Sequence, residues 1–177
     1  MRFTLLYKGR IPANGSTEQI AAIRTNPYLQ AQLLALHAVT SKQFNADNKL
    51  IVGGTQFTAV LPIGWVCSAE IVLLRATPHS QISGLPDIDN TLKTLFDAIC
   101  APAGASSPPG SAVEKSCLVV ALEDKQLSSI TVSSDHHWSA KTEEDIAFIR
   151  VTTQETQIDD AVALGGQSFK TIRRNVF

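Results

Sequence analysis

The run VCSAEIVLLRA, residues 66–76, restricts the fold more than any other stretch of the chain. It sets Ile71, Val72, Leu73 and Leu74 side by side, without the polar alternation of a strand that faces water on one side. Such a run is typical of a strand covered on both faces of its sheet. The sequence therefore predicts a buried strand here, with other elements packed around it.

Further elements follow from periodicity along the rest of the chain. Strands are predicted at residues 3–8, 57–63, 117–122, 129–133 and 145–153. Helical periodicity covers residues 17–44, with a break at Asn26-Pro27, where Pro27 fits the first turn of a second helix and Asn26 fits its cap. This order predicts an α+β fold: one domain, with a mixed β-sheet packed against two or three helices.

Composition limits the cellular setting and the segments outside the core. No apolar run reaches the roughly 18 residues that a membrane span needs, so we expect a cytoplasmic protein with no membrane partner. The three cysteines form neither a disulfide framework nor a CxxC metal pair. Residues 101–111, APAGASSPPGS, predict a flexible loop inside the domain, and no periodicity is evident in the tail from about residue 165.

The stretch LPDIDNTLKTLFDAI, residues 85–99, places two aspartates directly before an amphipathic helix. One interpretation is purely structural. Asp89 or Asn90 caps the helix, Asp87 lies near the positive end of its dipole, and Lys93 forms an i,i+4 pair. A carboxylate at that end of a helix contributes about 0.5 kcal/mol. The apolar stripe of this helix consists of Leu92, Leu95, Phe96 and Ile99.

The second interpretation is a divalent-metal site. Asp87 and Asp89, separated by one residue on extended backbone, point to the same side about 7 Å apart. Hard cations such as Mg²⁺ prefer carboxylate oxygens. Glu123 and Asp124 follow an apolar strand and are candidates for a third acid. Lys93, one helical turn after Asp89, could neutralise charge that develops on a phosphoryl group.

These residues resemble the RusA family of Holliday-junction resolvases. PDIDN-x-x-K-x-x-x-DAI matches the family's D-x-D-N-x-x-K motif at the start of a helix, and EDKQL matches its later D-D-x-Q-[VI] motif. More loosely, the strand EIVLLRA and the turn GRIPANG are similar to the family's preceding strand and its N-terminal turn. The two short motifs carry most of the resemblance, which spans residues 3–153.

The resemblance implies a homodimeric endonuclease that resolves branched DNA with Mg²⁺, for which Mn²⁺ could substitute. By motif position, Asp87, Asp89 and Asp124 are metal-binding and catalytic acids, and Lys93 is the catalytic lysine. Glu123 stands where the family has another aspartate and is a further metal-ligand candidate. Two sites in a dimer suit paired cuts on a two-fold symmetric junction.

The surface that would hold DNA is less evident, because the formal net charge is −1 and nucleic-acid domains usually carry a basic surplus. An alternative function is therefore a catalytically silent dimeric binding module that keeps the fold. Another is a metal-dependent nuclease that acts on a different nucleic acid. The candidate DNA-contacting residues, each also consistent with an ordinary solvated surface role, are Arg10, Arg75, Lys125, Lys170, Arg173 and Arg174.

Overall fold

A computed structural model describes residues 1–44, 48–62, 64–76, 88–103, 107–108, 111–136 and 144–155. The helices are α1 (Thr17–Arg24), α2 (Pro27–Phe44) and α3 (Ile88–Ile99), and a short 3-10 helix covers Asp124–Gln126. The strands are β1 (Arg2–Gly9), β2 (Lys49–Val52), β3 (Thr55–Ala59), β4 (Trp65–Arg75), β5 (Lys115–Val119), β6 (Leu127–His136) and β7 (Asp145–Glu155). The α+β class is confirmed. None of the helices in these ranges is long and apolar enough to cross a membrane.

The described strands form two sheets, where the sequence predicted one. The large sheet has the order β1-β7-β4-β6, and β4 runs antiparallel to β7 and parallel to β6. The small sheet has the order β2-β3-β5 and is also mixed. The one-sheet prediction is wrong because β3 pairs with β5 and not with β4. Phe57, Ala59, Cys117 and Val119 then bury a second, smaller core between them.

The strand β4 is covered fully on one face only. Ile71 and Leu73 are completely buried, whereas Glu70 is exposed and Val72 and Leu74 are half-buried. The prediction of a strand covered on both faces is therefore wrong. The run Ile71–Leu74 alternates in space between the main core and an outer face that is only partly covered.

The predicted break at Asn26-Pro27 is confirmed. Asn26 Oδ1 accepts the backbone N–H groups of Tyr28 and Leu29, each at 3.1 Å, as an N-cap does. Pro27 opens α2, where its missing N–H is no loss. Leu29 and Leu33 are fully buried in the main core, so the four-residue spacing marks the inner face of the helix.

Two glutamines of α2 attach this helix to one outer strand of each sheet. Gln32 Oε1 accepts the backbone N–H of Leu6 in β1, and its Nε2 donates to the Leu6 carbonyl, both at 2.8 Å. Gln30 makes the same pair of bonds with Leu118 in β5, at 3.0 and 2.8 Å. Each amide therefore takes the place of one residue of a neighbouring strand.

The three cysteines, Cys67, Cys100 and Cys117, are free and buried. This agrees with the sequence, which predicts no disulfide framework. Burial raises the pKa of the Cys67 thiol to about 11, so the neutral thiol packs in the core as a small apolar group.

The predicted site residues lie on or next to β4, α3 and β6. The strands β4 and β6 are parallel, and α3 lies in the crossover that connects them. At the end of β4, the Arg75 Nη2 donates to Thr91 Oγ1 in the first turns of α3, at 3.3 Å. At the other end of α3, the Ile99 carbonyl accepts from the Val120 N–H at 2.7 Å, a few residues before β6 begins. The helix α3 therefore runs back along β4 from its end toward its start.

Candidate functional site

Part of the predicted site lies within the described residues. Asp87, Lys170, Arg173 and Arg174 lie outside them, and the side chain of Asp124 is likewise not described. The remaining candidates can be located in the fold: Asp89, Lys93, Glu123, Arg10, Arg75 and Lys125.

The first turn of α3 presents an acid and a cation to solvent. The helix begins at Ile88, so Asp89 lies inside the first turn. The prediction that Asp89 or Asn90 caps the helix is therefore wrong, because the helix starts two residues before Asn90. Asp89 and Lys93 are both exposed and lie one turn apart, so they share an outward face that a ligand can reach.

The GRIPANG turn, residues 9–15, packs against this same end of α3. The Asn14 N–H donates to the Asn90 carbonyl at 3.3 Å, and the Gly15 N–H donates to Thr94 Oγ1 at 2.8 Å. A Cβ atom on Gly15 would lie 2.7 Å from Thr94 Cγ2, so any other residue would force the turn or Thr94 to shift. Thr94 lies outside the apolar stripe of the helix, yet it is buried by this contact.

A buried carboxylate anchors the chain on both sides of the site. Asp145 Oδ2 accepts the Ile11 N–H at 2.8 Å, and its Oδ1 accepts the Ala76 N–H at 3.1 Å. It thereby joins the N-terminal turn to the end of β4. Sequence analysis missed this role, because the only local signal is an aspartate at the start of a predicted strand.

Arg75 is buried, with 7% of its surface exposed. Its guanidinium lies beneath the first turns of α3, where it bonds Thr91. The expected solvated surface role is therefore wrong for Arg75, because α3 covers the end of β4. Arg10 and Lys125 are exposed, as a surface role requires.

Gln126 holds the second acidic motif in place. Its Oε1 accepts the N–H groups of Leu122 and Glu123, at 3.0 and 3.4 Å. Its Nε2 donates to the carbonyls of Pro62 and Trp65, at 3.2 and 3.1 Å. Every hydrogen-bonding position of the amide is used. The exposed Glu123 and the 3-10 helix after it are thus attached to the start of β4.

The two acidic motifs lie at opposite ends of β4. Asp89 belongs to the turn of α3 beside Arg75, whereas Glu123 lies beside Trp65. Between Cys67 and Arg75, β4 rises by about 26 Å at its usual spacing. Ligand oxygens of one Mg²⁺ lie only about 2.1 Å from the ion, so Asp89 and Glu123 of one chain cannot bind the same ion. Among the described residues, no group of three or more potential ligands is close enough to hold a metal.

Comparisons with known proteins returned no relative. No protein-family model, curated protein or solved structure matches the chain. A functional assignment therefore depends on the motifs and on the geometry that surrounds them.

Proposed function

We propose that the protein is a homodimeric, Mg²⁺-dependent endonuclease that cleaves Holliday junctions or other branched DNA. The observation that supports this function best is the placement of its two acidic motifs. Each is firmly anchored, one by Asn14, Gly15 and Arg75, the other by Gln126. Each motif also supplies only half of the proposed metal ligands. Within one chain, the two motifs lie about the length of β4 apart.

A second copy of the chain can join these halves. A two-fold axis that lays two crossovers antiparallel sets the Asp89 end of one subunit beside the Glu123-Asp124 end of the other. Because the operation is two-fold, the same junction forms twice. The resulting dimer has two composite sites and matches the symmetry of a four-way junction.

The residues present suit a hard cation, because every proposed ligand is a carboxylate. In each composite site, Asp87 and Asp89 of one subunit and Glu123 and Asp124 of the other would hold Mg²⁺. Bound there, Mg²⁺ would activate a water molecule and stabilise the departing 3′ oxygen. Lys93 extends from the same face of α3 as Asp89, where its ammonium stabilises negative charge on the phosphate.

Complementation between two inactive variants tests this function. We expect the wild-type protein to cut a synthetic four-way junction in Mg²⁺ or Mn²⁺, and Asp89→Asn and Asp124→Asn each to abolish cutting. Mixing the two variants should restore nicking, because one of the two sites in each heterodimer then keeps both wild-type halves. After random exchange of subunits, about half of the dimers are heterodimers, and each has one intact site of two. About a quarter of all sites should therefore be active. Glu114→Gln, at an exposed acid just before β5 that belongs to neither motif, is the matched control and should cut normally.

The outcomes separate the parts of the proposal. If the wild-type protein neither cuts nor binds junctions in low salt, it is not a resolvase. If it cuts but the mixed variants remain inactive, the composite arrangement is wrong.

A catalytically silent junction-binding module is the second candidate. The net charge of −1 and the burial of Arg75 favour it, since both reduce the positive surface available to attract DNA. This candidate predicts junction binding that is unchanged by Mg²⁺ and by Asp89→Asn, without cleavage under any metal condition.

A further inference from the structure

The strand β6 forms an open edge of the large sheet. It is the last strand in the order β1-β7-β4-β6, and no other described strand pairs with its outer side. Most of its side chains are exposed, including Ile130 at 47%. Along residues 128–134 this edge presents backbone donors and acceptors, which are a template for another strand.

The other sheet edges are covered or short. The Gln32 side chain bonds the N–H and the carbonyl of Leu6 on the outer side of β1. The Gln30 side chain bonds the same two groups of Leu118 on the outer side of β5. The remaining edge strand, β2, has only four residues, and its Ile51 carbonyl accepts the N–H of Ser107 at 2.7 Å. Among the described strands, β6 is therefore the long edge that is left for a partner.

We propose that β6 pairs antiparallel with β6 of a second copy and joins two large sheets into one. Residues 128–134, SSITVSS, contain no charge and no proline, so none of the usual devices against edge pairing is present in them. Ile130 and Val132 are the two apolar residues of this segment and lie on either side of Thr131. They face each other across the interface only in the register that places Thr131 on the two-fold axis. In that register Ile130 faces Val132 of the partner subunit, on the side of the sheet that carries the core.

This interface also explains how the composite sites form, and in that respect it rests on the proposed function. The Glu123-Asp124 turn immediately precedes the start of β6. In an antiparallel pair, the start of one β6 lies beside the end of the other. There, Arg75 of the partner subunit ends the adjacent β4 and contacts the turn of α3 that carries Asp89. Edge pairing therefore brings both halves together twice with no change within either subunit.

Sedimentation velocity on charge variants at the axis tests the interface. Thr131→Lys and Thr131→Glu each oppose two like charges across the axis, so each should weaken dimerisation at least tenfold. An equimolar mixture of the two should recover the dimer, because Lys then faces Glu. Thr4→Lys and Thr4→Glu on the covered edge strand β1 are the matched controls and should leave the dimer intact. Thr4 is exposed like Thr131.

A cysteine variant provides a test that adds no charge. Directly opposed residues of antiparallel strands have Cβ atoms about 4.5–5.5 Å apart, near the reach of a disulfide. Thr131→Cys should therefore form a covalent dimer on mild oxidation, and Thr4→Cys should not. The three native cysteines are buried, so they should not compete.

A monomeric wild-type protein would overturn the inference. So would a dimer that persists unchanged in Thr131→Lys and Thr131→Glu and that Thr131→Cys does not crosslink. If the dimer responds to all three variants but does not cut junctions, the β6 interface stands and the proposed nuclease function fails.

Discussion

The two edges of the large sheet are treated differently by the rest of the chain. Along β1, the helix α2 lies beside the strand, and Gln32 bonds both backbone groups of Leu6. Along β6, the described chain supplies no cover, and the side chains of residues 128–134 are uncharged and mostly exposed. Exposed edges invite association between chains, so proteins usually protect them. Protection of β1 and not of β6 is what the proposed β6 interface requires.

The same contrast separates the two acidic motifs. The motif on α3 is held by contacts with the N-terminal turn and with the end of β4, on the body of the subunit. The motif at Glu123-Asp124 lies just before the start of β6, the uncovered edge strand, and the amide of Gln126 holds it there. Only the second lies directly beside the edge where a partner subunit would pair, whereas the first lies one strand further in, beside the end of β4.

Opening the covered edge should have the largest effect. We expect Gln32→Glu to lower the free energy of unfolding by about 3 kcal/mol, because the carboxylate cannot donate to the Leu6 carbonyl and brings an uncompensated charge. Urea denaturation measures this effect. Gln154→Glu, an exposed glutamine near the end of β7, is the control, and an equal loss there would show that charge alone was responsible.

The β1 side should also respond to high pH. Burial, and then the nearby charges of Asp145 and Glu144, raise the pKa of Tyr7 in β1 to about 12, above the usual value near 10. The unfolded chain therefore loses this proton first, and stability falls as pH rises from about 10 to 12, by about 2–3 kcal/mol in all. Thermal denaturation of Tyr7→Phe across this range should lack that loss. A variant with the wild-type slope would assign it to other groups.

The smallest effect on stability is expected at Gln126, directly before the start of β6. Gln126→Glu removes two donors and should cost about 1–2 kcal/mol, yet it should weaken Mn²⁺ binding by about tenfold because the Glu123-Asp124 turn is no longer held. Gln30→Glu breaks a comparable amide pair with β5, outside both acidic motifs, and serves as the control. Isothermal titration calorimetry measures the binding, and equal losses in both variants would reduce Gln126 to a purely structural residue.

Much of the local structure was predictable. The cap at Asn26, the helix that carries Asp89 and Lys93, and the strands β1, β6 and β7 follow from periodicity and from residues that act on near neighbours. The errors arise where distant segments meet. Arg75 and Thr94 look like surface residues in the sequence and are buried, because α3 and the GRIPANG turn close over them.

The sequence by itself determined the class of fold, most element boundaries to within a few residues, and the two acidic motifs as candidates. These depend on short-range backbone preferences and on which side chains avoid water. Only the tertiary structure decided that the motifs lie a strand's length apart and that, among the described residues, β1 is covered while β6 is open. Gln32 lies 26 residues from Leu6, and Gln30 lies 88 residues from Leu118. The role of such an amide is set by the peptide that folding brings to it, and no local pattern records that partner.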